Sequence, residues 1–178
     1  MSRSSILRQL DGGDRRSIGR SNEVVVQVLA EPQMFRSLFA GLMSDNPVVR
    51  ARAADAIEKV TLVRPDWLVP YKLQLIGPLA CCDQPEVRWH VAQMLPRLSW
   101  NAHERRRVSQ VLSRYLRDAS SIVKTCAMQA LVDLTVQAPA LRPIVARRLR
   151  TLTVQGTPAM RARGRKLLAA LSKVEKTR

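Results

Sequence analysis

Residues 46–60 read NPVVRARAADAIEKV, and three later stretches repeat their pattern. Those stretches are QPEVRWHVAQMLPRL from Gln84, SIVKTCAMQALVDL from Ser121 and TPAMRARGRKLLAAL from Thr157. In each, an apolar residue precedes a base, and small or apolar residues follow it after four, eight and eleven positions. These offsets lie on one side of an α-helix. The pattern therefore predicts four equivalent helices, whose apolar–base pairs are 38, 36 and 37 residues apart.

A second set of helices is predicted between these stretches. Its marker is a leucine that recurs every 37 residues, at Leu38, Leu75, Leu112 and Leu149. A fixed period of this length with helical spacing is typical of proteins built from stacked helix pairs. We therefore predict an all-α chain.

The starts of the repeated helices carry their own signals. Proline suits the first helical position, where its missing N–H is not needed. A side-chain oxygen just before a helix can accept a hydrogen bond from an unpaired backbone N–H. The prolines are Pro47, Pro85 and Pro158, and the capping residues are Asn46, Ser120 and Thr157.

The order of these features resembles the HEAT-repeat family. An apolar helix, an Asp, a Pro-containing turn and a Val-Arg pair that opens a second helix follow one another in LFAGLMSDNPVVRARAADAI and LIGPLACCDQPEVRWHVAQML. The third and fourth copies match more loosely. The resemblance covers residues 31–176 and implies an armadillo-like α-solenoid, in which each repeat contacts only its neighbours. The expected repeats span about 31–64, 65–100, 101–138 and 139–176.

The resemblance also implies an inter-repeat ladder of aspartate and arginine side chains. The third and fourth copies lack the turn aspartate, since Ala119 and Gly156 stand in its place. The ladder is therefore expected in the first two copies only. Its pairs are Asp45 with Arg50 and Asp83 with Arg88.

Residues before the first repeat divide into two expected parts. Residues 1–21 are rich in arginine and glycine and poor in apolar anchors, which favours a flexible basic arm. Residues 22–30 predict an N-terminal capping helix, with Ser21 or Asn22 as its cap and Pro32 beyond its end. The solenoid, with this helix, is then one domain over residues 22–178.

The positive charge is concentrated in the second half of the chain. The 178 residues carry 30 Lys and Arg against 14 Asp and Glu, a formal charge of +16. Residues 101–178 hold 17 of these bases and 4 of these acids, and so +13 of the charge. A surface of this sign attracts acidic partners.

Catalytic and metal chemistry find little support in the sequence. His90 and His103 have no Cys or acidic residue at ligand spacing, which favours solvated histidines on helix surfaces. Cys81, Cys82 and Cys126 form no CxxC motif and no disulfide framework. We therefore expect no metal, no cofactor, no catalytic residue and a reducing, cytoplasmic location. No segment has the apolar length of a membrane span.

One enzymatic alternative follows from the resemblance. Some HEAT-like solenoids are DNA glycosylases for alkylated bases, with Trp, Asp and Arg in a concave cleft. This chain has Trp67, Trp89 and Trp100, but Gln93 follows Trp89 by four positions and Glu104 follows Trp100. Because no acid is expected on a concave face near an exposed Trp, this alternative ranks last.

Trp89 is a candidate anchor for a partner. On a helical wheel, Val87, Val91, Met94 and Leu98 face inward and Trp89 lies nearly opposite. The resemblance places this side of the second helix on the concave surface. Exposed Trp residues often mark the centre of an interface, while packing onto an adjacent helix is the equal alternative.

Basic residues predict a second binding surface, on a convex face or an edge. Where Val108, Leu112 and Val145 face inward, the arginines of the same helices face outward. The predicted partner-binding residues are Arg106, Arg107, Arg114, Arg117, Arg147, Arg150, Arg163 and Lys166.

These observations predict a non-enzymatic scaffold or adaptor that binds a protein with an acidic surface. The alternative is a nucleic-acid binder in which arginines contact backbone phosphates. Two Tyr, two Phe and three Trp offer few stacking platforms for single strands.

Overall fold

The structure is a computed structural model that describes residues 3–14 and 17–176, with side chains over 6–14 and 17–173. Within these residues the chain forms ten α-helices and no β-strand, which confirms the all-α prediction. The helices are α1 (Arg3–Gln9), α2 (Ser21–Ala30), α3 (Phe35–Ala40), α4 (Pro47–Val63), α5 (Lys72–Ile76), α6 (Pro85–Met94), α7 (Ala102–Tyr115), α8 (Ser121–Gln137), α9 (Arg142–Gln155) and α10 (Pro158–Lys176).

Short 3-10 helices extend or join several of these elements. They span Pro32–Met34, Gly41–Met43, Pro65–Tyr71, Leu79–Cys81, Leu95–Arg97 and Pro139–Leu141. None of the helices in the described residues is both long and apolar enough to cross a membrane.

The predicted helix starts are confirmed. Pro47, Pro85 and Pro158 each occupy the first position of a helix. Asn46 Oδ1 accepts from the backbone N–H of Val48 at 2.9 Å. Ser120 and Thr157 accept in the same way, at 3.4 and 3.3 Å. The helix boundaries are therefore set by local chemistry as well as by burial.

The chain divides into two compact units, residues 1–94 and 95–178. The division falls inside the expected second repeat, residues 65–100. α6 ends at Met94, and a 3-10 helix that contains Pro96 follows it. Pro96 has no N–H to continue an α-helix, so the local backbone changes at this point.

Helix α4 is the centre of the first unit. It packs against α2, α3 and α6, while α1 packs against α2 and α3. The inward residues predicted for α4 and α6, among them Ile57 and Val91, are fully buried. The second helix of one pair therefore contacts the second helix of the next within this unit.

Helix α8 has the same position in the second unit. It packs against α7, α9 and α10, and α9 packs against α10. Leu112, Leu149 and Leu171 are buried as predicted. In α10 the residue buried beside them is Leu167, and the expected Leu168 is only partly buried.

The N-terminal segment is not the free arm that the sequence predicted. Ile6 and Leu10 are 4% and 0% exposed, so the described part of the segment packs into the first unit. Residues 1–2 and 15–16 of the predicted arm lie outside the described residues. Apolar side chains at i and i+4 give this short helix one buried face.

Arg52 of α4 holds the segment in place. Its side chain is 4% exposed, and its guanidinium donates hydrogen bonds to backbone carbonyls of the segment. The acceptors are Leu10 at 2.9 Å, Gly12 at 2.6 Å, Asp14 at 3.1 Å and Ser17 at 3.1 Å, with a longer bond to Asp11 at 3.4 Å. A buried charge of this kind is stable only when hydrogen bonds replace its lost water.

Ser21 begins α2 but does not cap it, contrary to prediction. Arg20 is the residue that precedes the helix, and it makes no side-chain cap. The Ser21 hydroxyl instead donates to the Asp55 carboxylate of α4, which also accepts from Lys59 Nζ. The hydroxyl therefore joins α2 to α4.

The expected aspartate–arginine ladder takes a different form. Arg50 donates to the carbonyls of Ser44 and Asp45, rather than to the Asp45 carboxylate, and to Gln84 Oε1 at 2.8 Å. Gln84 in turn donates to the carbonyl of Pro47. Arg88 repeats the first contact one pair later, by donating to the carbonyl of Cys82 at 2.7 Å. Backbone carbonyls of the turns thus accept where carboxylates were expected.

Removal of the Arg52 guanidinium tests its role. In Arg52→Ala the buried carbonyls of the segment lose their donors, and we expect a loss of about 2 to 4 kcal/mol in stability. The midpoint temperature of thermal unfolding, measured by circular dichroism, should fall by roughly 10 °C. The matched control is Arg36→Ala, an exposed arginine of α3, which should leave the midpoint nearly unchanged. Equal midpoints for the two variants would contradict the assignment.

Two glycines of the segment give a matched pair. Gly12 and Gly19 have φ of +80° and +51°, so alanine strains the backbone at both. A Cβ at Gly19 would lie 2.6 Å from Arg52 Cζ, whereas nothing lies within 4 Å of a Cβ at Gly12. Gly19→Ala should therefore destabilise more than Gly12→Ala in urea unfolding. The difference should disappear in an Arg52→Ala background, and its persistence there would exclude the contact as its cause.

Candidate functional site

A groove in the second unit runs between α7 and α9. Ala102, Arg106 and Ser109 belong to its α7 wall, while Leu131 of α8 contributes to its floor. The α9 side begins with Leu141 and Ile144. Two adjoining cavities, of about 590 and 630 Å³, make up the groove.

The two cavities form one trough because they share residues. Ser113, Ile144 and Arg148 line both of them. Ile144 is 55% exposed although it is a large apolar side chain. Leu116 and Leu152 continue the apolar lining at the far end. The trough therefore has an exposed apolar centre, which is a common property of binding surfaces.

Five arginines and no carboxylate are among the described residues that line the groove. They are Arg105, Arg106 and Arg117 on the α7 side, and Arg147 and Arg148 on α9. Arg148 Nη1 donates to Ser113 Oγ at 2.6 Å, and Arg105 Nη1 donates to the carbonyl of Trp100. These two contacts fix the positions of two charges on the walls.

The spacing of residues on each helix produces the groove. Ile144, Val145 and Arg148 of α9 follow Leu141, the last residue of the preceding 3-10 helix, at three, four and seven positions and share one face with it. Val145 is 5% exposed, so this face of α9 packs into the interior of the second unit. The residues beside it on the same face therefore reach the floor and the wall.

The structure divides the predicted basic residues into three groups. Arg106, Arg117 and Arg147 line the groove. Arg107, Arg114 and Arg150 lie on α7 and α9 outside it, and Arg107 is partly buried. Arg163 and Lys166 are exposed on α10. Only three of the eight predicted basic residues therefore belong to the groove.

One acid, Asp133, lies near Arg163. Partial burial raises the pKa of the Asp133 carboxyl on α8, whereas a hydrogen bond from the Gln129 amide and the charge of Arg163 lower it. Arg163 also donates to Gln129 Oε1 at 3.3 Å. The charge of Arg163 is thus opposed by a neighbour, unlike the charges of the groove.

Sequence reasoning missed Arg105, Arg148 and Ile144. A signal was available, because Ile144 extends the apolar stripe of α9 beyond the width that the core needs.

Trp89, the other predicted site residue, lines a pocket of about 400 Å³ in the first unit. It is partly buried, and its ring centroid lies 5.6 Å from that of His90. The N-terminal segment supplies Ser17 and Ile18, while α4 supplies Arg52 and Asp55. His90 is 9% exposed, so the expectation of a solvated histidine is wrong for this residue.

The sequence predicted no acid on a concave face near an exposed Trp, but Trp89 is partly buried and two acids lie near it. Glu86 and Asp55 line the same pocket. Asp55 comes from the preceding helix pair, so a search along α6 alone could not find it. Its carboxylate accepts from Ser21 and Lys59, and Arg52 is bonded to the carbonyls of the segment. These two charged groups therefore support the fold of the first unit.

The remaining tryptophans have structural surroundings. Trp100 is 3% exposed and its indole N–H donates to the carbonyl of Leu95 at 2.7 Å. Trp67 packs edge-on against Phe35, with ring centroids 5.3 Å apart. Glu104, the acid nearest to Trp100 in sequence, completes the capping box of α7 with Asn101.

Comparisons of this chain with protein-family models, with curated proteins and with solved structures find no match. Over residues 3–14 and 17–176 the structure contains no group of three His, Cys, Asp or Glu that could hold a metal ion. The site is therefore defined by its own geometry, a trough with an apolar centre at Ile144 and arginines on both walls.

The two tryptophans should respond differently to truncation. Trp100→Ala removes a buried ring and its hydrogen bond, and we expect a loss of roughly 3 kcal/mol or more. Trp89→Ala removes a ring that faces a pocket, and the loss should be smaller. Urea unfolding of both variants measures the difference. An equal or larger loss for Trp89→Ala would show that its main role is packing.

Proposed function

We propose that this protein is a non-enzymatic interaction scaffold that binds an acidic protein partner through the basic surface of residues 101–178. The observation that carries the proposal is the groove between α7 and α9, with arginines on both walls and an apolar floor. Charged rims steer a partner of opposite sign, while buried apolar area stabilises the complex. We place this activity in the cytoplasm, where the three cysteines stay reduced.

We further propose that the helix pairs are HEAT-like repeats of an α-solenoid. Support comes from the 36 to 38 residue period and from the packing inside each unit. In the first unit α4 contacts α6, and in the second α8 contacts α10. Such side-by-side contacts between equivalent helices are expected when repeats stack on their neighbours.

A protein partner fits the groove better than a nucleic acid does. Phosphates bind to positive charges and hydrogen-bond donors, and the apolar side chain of Ile144 on the floor provides neither. An apolar floor instead suits side chains such as Leu or Phe. The arginine charge alone would serve both partners, so the floor distinguishes them.

The Trp89 pocket is the feature closest to an active site, because it brings Trp89 together with Asp55 and Arg52. Both charged groups already have partners within the fold. A catalytic group must be available to a substrate. We therefore retain the non-enzymatic proposal.

Charge reversal on the intact protein tests the proposed function. Arg106→Glu with Arg147→Glu changes two groove residues, and Arg161→Glu with Arg165→Glu makes the same change in charge on α10. The probes are a labelled glutamate-rich peptide of about 20 residues and a labelled DNA duplex of about 20 base pairs. We expect the groove variant to bind the peptide at least about tenfold more weakly, and the α10 variant to change little. Fluorescence anisotropy measures both.

Salt dependence separates the partner classes. Duplex binding that exceeds peptide binding, and that falls on the order of 1000-fold between about 50 and 200 mM salt, would establish a nucleic-acid binder instead. Equal losses in the two variants would show attraction to the net charge without a site.

A further inference from the structure

The groove has the length of a short helix. α7 and α9 each have 14 residues, which corresponds to about 21 Å at 1.5 Å per residue. Its two cavities are joined at Ser113, Ile144 and Arg148 rather than separated. A trough of this length is larger than a compact small ligand needs and fits about four turns of a helix.

The apolar contacts are distributed along the trough. Leu131 and Leu141 line the cavity that is mainly apolar, Ile144 lies between the two cavities, and Leu116 and Leu152 give the second, more polar cavity its apolar part. An amphipathic helix presents apolar side chains at i, i+3 or i+4, and i+7 along one stripe. Such a stripe would place one anchor in each cavity and one at Ile144.

The charges flank this apolar line on both sides. The guanidinium groups of Arg106, Arg117 and Arg147 make no hydrogen bond or ion pair with another described residue, so they are available to a partner. Carboxylates on both flanks of an apolar stripe could pair with them, in the bidentate geometry that arginine favours.

We infer that the groove between α7 and α9 binds an amphipathic α-helix of an acidic partner, with its apolar stripe on Ile144 and Asp or Glu on both flanks. This inference rests on the proposed function and adds the form of the ligand. A second copy of this chain is a poor occupant, because residues 101–178 carry 17 bases and 4 acids and would repel one another.

Two peptides of identical composition provide the test. The first is about 15 residues long, with leucines at three- and four-residue spacing and glutamates on both sides of the stripe. The second contains the same residues in an order without a stripe. We expect the first to bind the full-length protein at least about tenfold more tightly and to gain helical circular dichroism on binding.

Two substitutions on α9 locate the binding surface. Ile144→Asp places a charge at the centre of the trough and should weaken binding of the first peptide by about tenfold or more. Val154→Asp is the matched control, since Val154 is 74% exposed and does not line the groove. It should change binding by no more than about twofold. Both sites are exposed, so far-ultraviolet circular dichroism of the protein should be unchanged.

The outcomes separate this inference from the proposed function. Equal binding of the two peptides, weakened in both by Arg106→Glu with Arg147→Glu, would overturn the helix and leave the acidic-partner function standing. If the first peptide binds more tightly than the second but Ile144→Asp does not weaken its binding, the helix binds elsewhere and the groove is not its site. Absence of binding by either peptide, together with no binding of the glutamate-rich probe, would overturn both.

Discussion

The first unit depends on one buried guanidinium. Arg52 is removed from water and bonded to backbone carbonyls between Leu10 and Ser17. The charge needs those carbonyls to replace its hydration, and the segment needs the charge to order its turns. Folding of the N-terminal segment and burial of Arg52 are therefore one event. The same event brings Ser17 and Ile18 to the rim of the Trp89 pocket.

An equivalent arginine in the second unit has a different environment. Arg52 and Arg163 both lie three residues after the apolar residue that opens the repeated helix, Val49 or Met160. Arg52 is covered by the N-terminal segment, whereas Arg163 is exposed and bonds to Gln129. The first unit thus uses Arg52 for internal structure, whereas the second leaves Arg163 at the surface.

The turns show how a local pattern can be satisfied by different partners. The resemblance to HEAT repeats implied carboxylates for Arg50 and Arg88, but both donate to carbonyls six residues earlier. A carbonyl at the end of a helix has a lone pair to offer and no cost of burying a second charge. Gln84 then joins the two pairs through Arg50 and Pro47, since an amide both accepts and donates. Arg50 and Arg88 thus hold the turns through carbonyls rather than through the carboxylates of Asp45 and Asp83.

The sequence alone determined the helices, their starts and their buried faces. The repeat period, the caps at Asn46 and Ser120, and the apolar faces that carry Leu112 and Leu149 can all be recognised from the order of residues along the chain. The tertiary structure decided what those helices contact. It alone determined that the N-terminal segment packs under Arg52, that Asp55 approaches Trp89, and that Ile144 stays exposed between α7 and α9. The spacing of an arginine or an isoleucine along a helix is the same whether its side chain is buried or exposed. Contacts with residues distant in sequence decide which of the two occurs.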